Sequence, residues 1–119
     1  MSRRQDKKRR TLVVDDDRAT RMALSKILTE LGYEVEVAST LAEALPKLSA
    51  RLERLVLDLN LPDGSGLLLL KKVRSEGLPI HVAVSSACED QQVMSELARL
   101  RPDAVFQKPL NLSEFIQWL

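Results

Sequence analysis

The chain has 119 residues, about the modal size of one compact domain, so a single hydrophobic core is expected. Apolar residues make up 45% and charged residues 29%, which excludes a disordered or collagen-like chain, and only four aromatics (Tyr33, Phe106, Phe115, Trp118) argue against stacking platforms for single-stranded nucleic acid. The formal net charge of +1 is lopsided: residues 1–10 carry six basic groups against Asp6, while the other 109 residues carry 12 basic and 16 acidic groups. The basic start reads as a disordered, solvated arm, residues 1–10, ahead of a mildly acidic folded domain, residues 11–119. Cys88 is the only cysteine, which excludes an intrachain disulfide and a multi-cysteine zinc site and fits a reducing, cytoplasmic setting. No apolar run approaches the roughly 18 residues a membrane span needs, and the stretch Thr11 to Asp15 is too short for a signal-peptide core.

Short β-branched runs alternate with longer stretches whose apolar residues recur at three- and four-residue spacing, the signature of βα units. The first strand is Thr11 to Val14, apolar throughout as a strand covered on both faces must be, and it ends in Asp15, Asp16 and Asp17. A helix follows from about Arg18 to Leu31, with Met22, Ala23, Ile27, Leu28 and Leu31 expected inward, Asp17 as its cap and Gly32 as its stop. Strand two, Glu34 to Ala38, alternates Val35 and Val37 with glutamates, the pattern of an edge strand. Thr40 and Glu43 form a capping box for a helix to about Ala50, in which Pro46 predicts a kink or a late start.

Strand three is Leu55 to Leu57, ending at Asp58, and Pro62 to Gly66 make a turn into a leucine-rich helix over residues 66–75. Leu67 to Leu70 cannot all face inward, so at least one is expected partly exposed. Strand four runs from Ile80 to Ser85 or Ser86, a helix from about Asp90 to Leu100, and strand five from Ala104 to Phe106. Asn111 caps a short last helix with Glu114 at its third position. Five βα units with right-handed crossovers give an open parallel sheet with helices on both faces.

In such a sheet ligands bind beyond the carboxyl ends of the strands. Those ends deliver Asp15, Asp16 and Asp17, then Asp58, then Ser85 and Ser86, then Lys108 followed by Pro109. Clustered carboxylates repel unless a cation neutralises them, and a set of hard oxygen donors suits Mg²⁺. A compact ammonium beside such a site neutralises phosphoryl oxygens in a transition state, a nearby hydroxyl donates to another, and one carboxylate remains as nucleophile. Asp58 is the central candidate.

The segments Val13 to Arg18 (VVDDDR), Leu55 to Gly66 (LVLDLNLPDGSG), the serine pair before Ala87, and Gln107 to Pro109 (QKP) together resemble the receiver domain of bacterial two-component response regulators, over residues 11–119. The resemblance implies an α/β, flavodoxin-like doubly wound fold with a five-stranded parallel sheet in the order 2-1-3-4-5. It implies that Asp58 accepts a phosphoryl group, that Asp16 is a direct Mg²⁺ ligand, that Asp15 acts through metal-bound water, and that Asn60 offers its backbone carbonyl. Lys108 would pair with the phosphoryl group, and the Lys108–Pro109 bond would be cis. Counting back from Lys108 without a gap places Ser86 at the family's hydroxyl position; Ser85 would need one inserted residue. Val105 stands where the family often carries an aromatic switch residue, and Phe106 should face the other side of the sheet. Asn60 and Cys88 would flank the path of the water that hydrolyses the acyl phosphate.

The resemblance further implies a sensor histidine kinase or phosphotransfer protein as donor. It also implies a homodimer or downstream effector docking on the face of the fourth helix, fifth strand and fifth helix, with no direct nucleic-acid or membrane binding by the domain and no turnover beyond self-catalysed transfer and autodephosphorylation. The chain stops within a short helix, so the receiver piece of a longer protein is an expectation beside a domain acting alone. Two other classes compete. A degenerate receiver would serve as a constitutive interaction surface. A phosphatase of the haloacid dehalogenase type would use Asp15 as nucleophile, but Ala19 stands where that family wants Thr or Val, and neither a later acidic pair nor a cap domain is evident. His81, Trp118 and Cys88 are expected to be structural or inert, and Pro62, Gly64 and Gly66 to shape a loop.

Overall fold

Strand β1 (Arg9–Val14) carries the apolar run Leu12 to Val14 fully buried, and it begins two residues earlier than the apolar pattern alone predicts. The computed structural model describes residues 9–87 and 89–119; the first eight residues of the basic arm and Cys88, with the expectations attached to them, lie outside the described residues. The elements continue as α1 (Arg18–Glu30), β2 (Tyr33–Ala38), α2 (Leu41–Ala44), β3 (Leu52–Leu57), α3 (Leu67–Ser75), β4 (His81–Ser86), α4 (Gln91–Arg99), β5 (Ala104–Gln107) and α5 (Leu112–Trp118). The five strands pair in parallel in the order β2-β1-β3-β4-β5, as expected.

Because side chains alternate across a strand, one sheet feeds two cores. Leu12, Val14, Leu55, Leu57, Val82 and Val84 pack with α2, α3 and α4 on one face. Val13 and Val56 pack with Leu24 and Leu28 of α1 and Phe115 of α5 on the other. Phe106 joins this second layer, its ring 6.1 Å from that of Phe115 at 75°, so it does face away from Val105, which is exposed. Trp118 packs against Phe115 and lies beneath the Arg54 guanidinium.

Four local expectations need correction. The inward face of α1 is Leu24 and Leu28, one helical turn apart; Met22 and Leu31 are 59% and 49% exposed. Asp17 caps the helix through the Thr20 N–H at 2.9 Å and so fixes its rotation, which turns Leu24 rather than Ala23 onto Val13 and Val56. Helix α2 ends at Ala44, well short of Ala50, and passes into a 3₁₀ turn over Leu45–Lys47, because Pro46 has no N–H to give an α-helical bond. Its capping box is displaced: Thr40 accepts from the Glu43 N–H, but the Glu43 carboxylate reaches Ser39 rather than the N–H of Thr40. Strand β3 starts at Leu52, earlier than Leu55, because the charged Glu53 and Arg54 hide its first residues from an apolar pattern.

Within α3, Leu67, Leu69, Leu70 and Val73 are buried and Leu68 is 52% exposed, as the helical period requires. Leu68→Glu is therefore expected to change thermal stability by no more than about 0.5 kcal/mol in a melting experiment. His81 sits exposed at the start of β4, 3.6 Å from Asp103 and at the opposite end of the sheet from the aspartates. Among the described residues no helix is long and apolar enough to cross a membrane.

Candidate functional site

Strand β1 and strand β3 are neighbours, so the residues that follow them emerge side by side. Asp15 is buried; its N–H bonds the Ala38 carbonyl at 3.1 Å and its own carbonyl accepts from Arg21 at 2.8 Å. Asp58, also buried, donates its N–H to the Val14 carbonyl at 2.9 Å, and its Oδ1 accepts from the Asn60 N–H at 3.1 Å. Asp16 points from the same turn and is exposed. One carboxylate oxygen from each of Asp15, Asp16 and Asp58 lies within 4.8 Å of the others. Asp17 takes no part in that trio; the Thr20 hydroxyl and N–H hold its carboxyl below the usual range, as suits a cap.

Strand β5 brings Lys108 to the same edge, and the Lys108–Pro109 bond is cis, as expected. The ammonium donates to Asp15 Oδ2 at 3.0 Å and to Asp58 Oδ2 at 3.1 Å. The two sides of this contact respond differently. Burial pushes the Asp58 carboxyl up and outweighs the Asn60 N–H and Lys108, which pull it down. For Lys108 burial works the other way, against the charge, but the bonds to Asp15 and Asp58 outweigh it and hold the ammonium above its ordinary value. A buried carboxylate that is costly to ionise, beside an ammonium that is hard to deprotonate, is short of positive charge.

Ser85 and Ser86, at the end of β4, are both buried. Both border Lys108: Ser86 lines a polar cleft of about 130 Å³ with Ala87, Glu89, Gln107 and Lys108, and Ser85 a more apolar hollow of about 270 Å³ with Leu24, Lys108, Pro109 and Leu110. The structure thus brings Asp15, Asp16, Asp58, Lys108 and both serines to one edge, with the carboxylates of Asp15, Asp16 and Asp58 clustered and Lys108 bonded to Asp15 and Asp58. Asn60 follows Asp58 in a miniature hairpin, Asn60–Leu61 against Gly64–Ser65.

Sequence reasoning missed two side chains that brace this edge. Arg21 fixes the Asp15 carbonyl from a position six residues along the chain, with no signal in a helix face already crowded with charge. Asp63, read as part of a turn, accepts from the N–H groups of Leu41 at 2.8 Å and Ala42 at 3.0 Å, which hold its carboxyl below the usual range. A carboxyl with a lowered folded pKa contributes stability that is present above its unfolded pKa and lost as pH falls through the folded one. Asp63→Asn is therefore expected to be less stable than wild type at neutral pH, with the two melting temperatures converging in acid.

Residues 11–119 match the response regulator receiver domain as a protein family. Among curated proteins, the response regulator MprA of Mycobacterium avium strain 104 is 38% identical over 110 residues, which cover 90% of this chain and 47% of that protein. The CheY-like receiver domain of Methanospirillum hungatei JF-1 superposes with a TM-score of 0.85 at 29% identity, covering 92% of this chain and 89% of that one. A response regulator from Burkholderia pseudomallei, solved with a phosphorylated aspartic acid, a calcium ion and citrate, gives 0.82 at 25% identity, covering 93% and 66%. The chain belongs to the response regulator receiver domain family and is a two-component signalling module. It spans about half the length of the curated relatives it matches.

Proposed function

We propose that Asp58 accepts a phosphoryl group from a histidine kinase or phosphotransfer protein, and that the acyl phosphate changes what the domain binds. The observation that carries this reading is the bridging of Asp15 and Asp58 by the Lys108 ammonium, 3.0 and 3.1 Å away, with Asp16 in the same cluster. Three hard oxygen donors, two of them buried, fit a Mg²⁺ ion, with Asp15, Asp16, Asp58 and the Asn60 carbonyl as the residues to hold it. Bound there, Mg²⁺ supplies the positive charge the carboxylates lack and neutralises phosphoryl oxygens.

The chain's own part follows from its donors and acceptors. The Asp58 carboxylate forms the new O–P bond while the donor's bond to phosphorus breaks in line, so the leaving group departs with the electron pair. Lys108 donates to one phosphoryl oxygen, and Ser86, the serine at the ungapped spacing from Lys108 and on the more polar of the two clefts that border it, donates to another. Hydrolysis of the acyl phosphate returns free Asp58 and inorganic phosphate, which makes the domain a self-resetting acceptor in the cytoplasm rather than a turnover enzyme. The relative from Burkholderia pseudomallei carries a phosphorylated aspartic acid, in support of this chemistry. The face of α4, β5 and α5 exposes Val105, Leu112 and Ile116 and is the surface we assign to a second copy or a downstream effector. With valine at 105, no aromatic ring is there to report the switch.

Incubation with Mg²⁺ and acetyl phosphate tests the reading by intact-mass spectrometry. Wild type is expected to gain one phosphoryl group and Asp58→Asn none. No gain in wild type, or equal gain in both, defeats it.

A further inference from the structure

The loops that carry the acidic cluster belong to different βα units; beside the Lys108 bridge and the bond from the Asp58 N–H to the Val14 carbonyl, a remote carboxylate links them by way of α2. The start of α2 presents N–H groups that have no acceptor within the helix, those of Leu41, Ala42 and Glu43 among them. Thr40, its local cap, takes the one from Glu43. Those of Leu41 and Ala42 go to the two oxygens of Asp63, more than twenty residues further along the chain. On one side, Asp63 sits in the hairpin that begins at Asn60, whose N–H holds the Asp58 carboxylate. On the other side, the segment leading into α2 starts at Ala38, whose carbonyl accepts from the Asp15 N–H. Packing repeats the link, since a Cβ on Gly64 would lie 2.7 Å from Leu41 Cδ1.

We infer that Asp63 is a positioning residue for the acidic cluster: by bracing the Asp58 loop against the start of α2, and through Ala38 against Asp15, it sets the spacing at which the carboxylates take a divalent cation. The inference rests on the proposed phospho-acceptor chemistry. Asp63 itself touches none of the reacting groups. Its substitution therefore acts through distance, in the way that outer partners of ligating side chains commonly change metal affinity.

The test is calorimetric titration of Mg²⁺ into wild type, Asp63→Ala, Asp63→Asn and Phe115→Leu, with melting temperatures recorded for each. Phe115→Leu loosens the core on the other face of the sheet and serves as a control for general loss of stability. Asp63→Ala is expected to weaken Mg²⁺ binding on the order of tenfold. Asp63→Asn, with one acceptor oxygen for two N–H groups, should fall in between, and Phe115→Leu should bind Mg²⁺ as wild type does. If Asp63→Ala does not fold, Asp63→Asn carries the same comparison. Affinity within twofold of wild type in the Asp63 variants, or an equal loss in Phe115→Leu, overturns the inference while leaving the phospho-acceptor reading standing. Absence of Mg²⁺ binding by wild type overturns both.

Discussion

Lys108→Ala is expected to slow phosphoryl transfer from acetyl phosphate on the order of 10²- to 10³-fold, the loss found when one preorganised donor to a transition-state oxygen is removed. Its ammonium is shared between Asp15 and Asp58 before any donor arrives, so it is held in place rather than recruited. The same substitution should tighten Mg²⁺ binding, because it removes a competing cation from the carboxylates. In metal-free protein it should lower stability by about 1–2 kcal/mol. Removing one partner from a fully buried ion pair costs more, but the Lys108 side chain is 26% exposed and water screens part of the effect. Opposite signs for metal affinity and transfer rate separate this account from simple unfolding. A slower rate with weaker Mg²⁺ binding would contradict it.

Gly66→Ala should be the most damaging small substitution near the site. A Cβ there would lie 2.3 Å from the Asp58 carbonyl oxygen and 3.1 Å from its carbon, so the obstacle is backbone rather than the end of a mobile side chain. Gly66 has φ −60° and ψ −17°, which any residue adopts, so the demand for glycine comes from close approach and not from the dihedral angles. Its N–H also closes the loop on the Leu59 carbonyl at 2.8 Å. Relief of the clash must move the turn that carries Asp58 or the first turn of α3. The expected loss is about 3 kcal/mol by chemical denaturation, accompanied by a drop in phosphoryl uptake even in the fraction that remains folded.

The strand ends were legible because their chemistry is unusual: three aspartates after an apolar strand, one after another, and a Lys-Pro after a third have few other reasons to occur together. The sheet order followed from resemblance and from the count of βα units. What stayed hidden depended on rotation and on distance. A helix face cannot be assigned to within one residue when Met22, Ala23 and Leu24 are consecutive and apolar; the cap at Asp17 and the position of Val56 decide it. The first residues of strand β3 are hidden in sequence because Arg54, though mostly covered by Trp118 and Leu119, looks like a surface residue. Asp63 looked like turn chemistry because its partners are 21 and 22 residues away. Glu43 shows how a capping pair in sequence can be satisfied one residue from its usual place.

Asp58, and neither of the aspartates beside it, is expected to take the phosphoryl group. Borohydride reduces an aspartyl phosphate to homoserine, which marks the acceptor permanently. Wild type treated with Mg²⁺ and acetyl phosphate, reduced, digested and sequenced by tandem mass spectrometry should carry homoserine at position 58. Homoserine at position 15 or 16, or at no position in protein that binds Mg²⁺, would contradict the account.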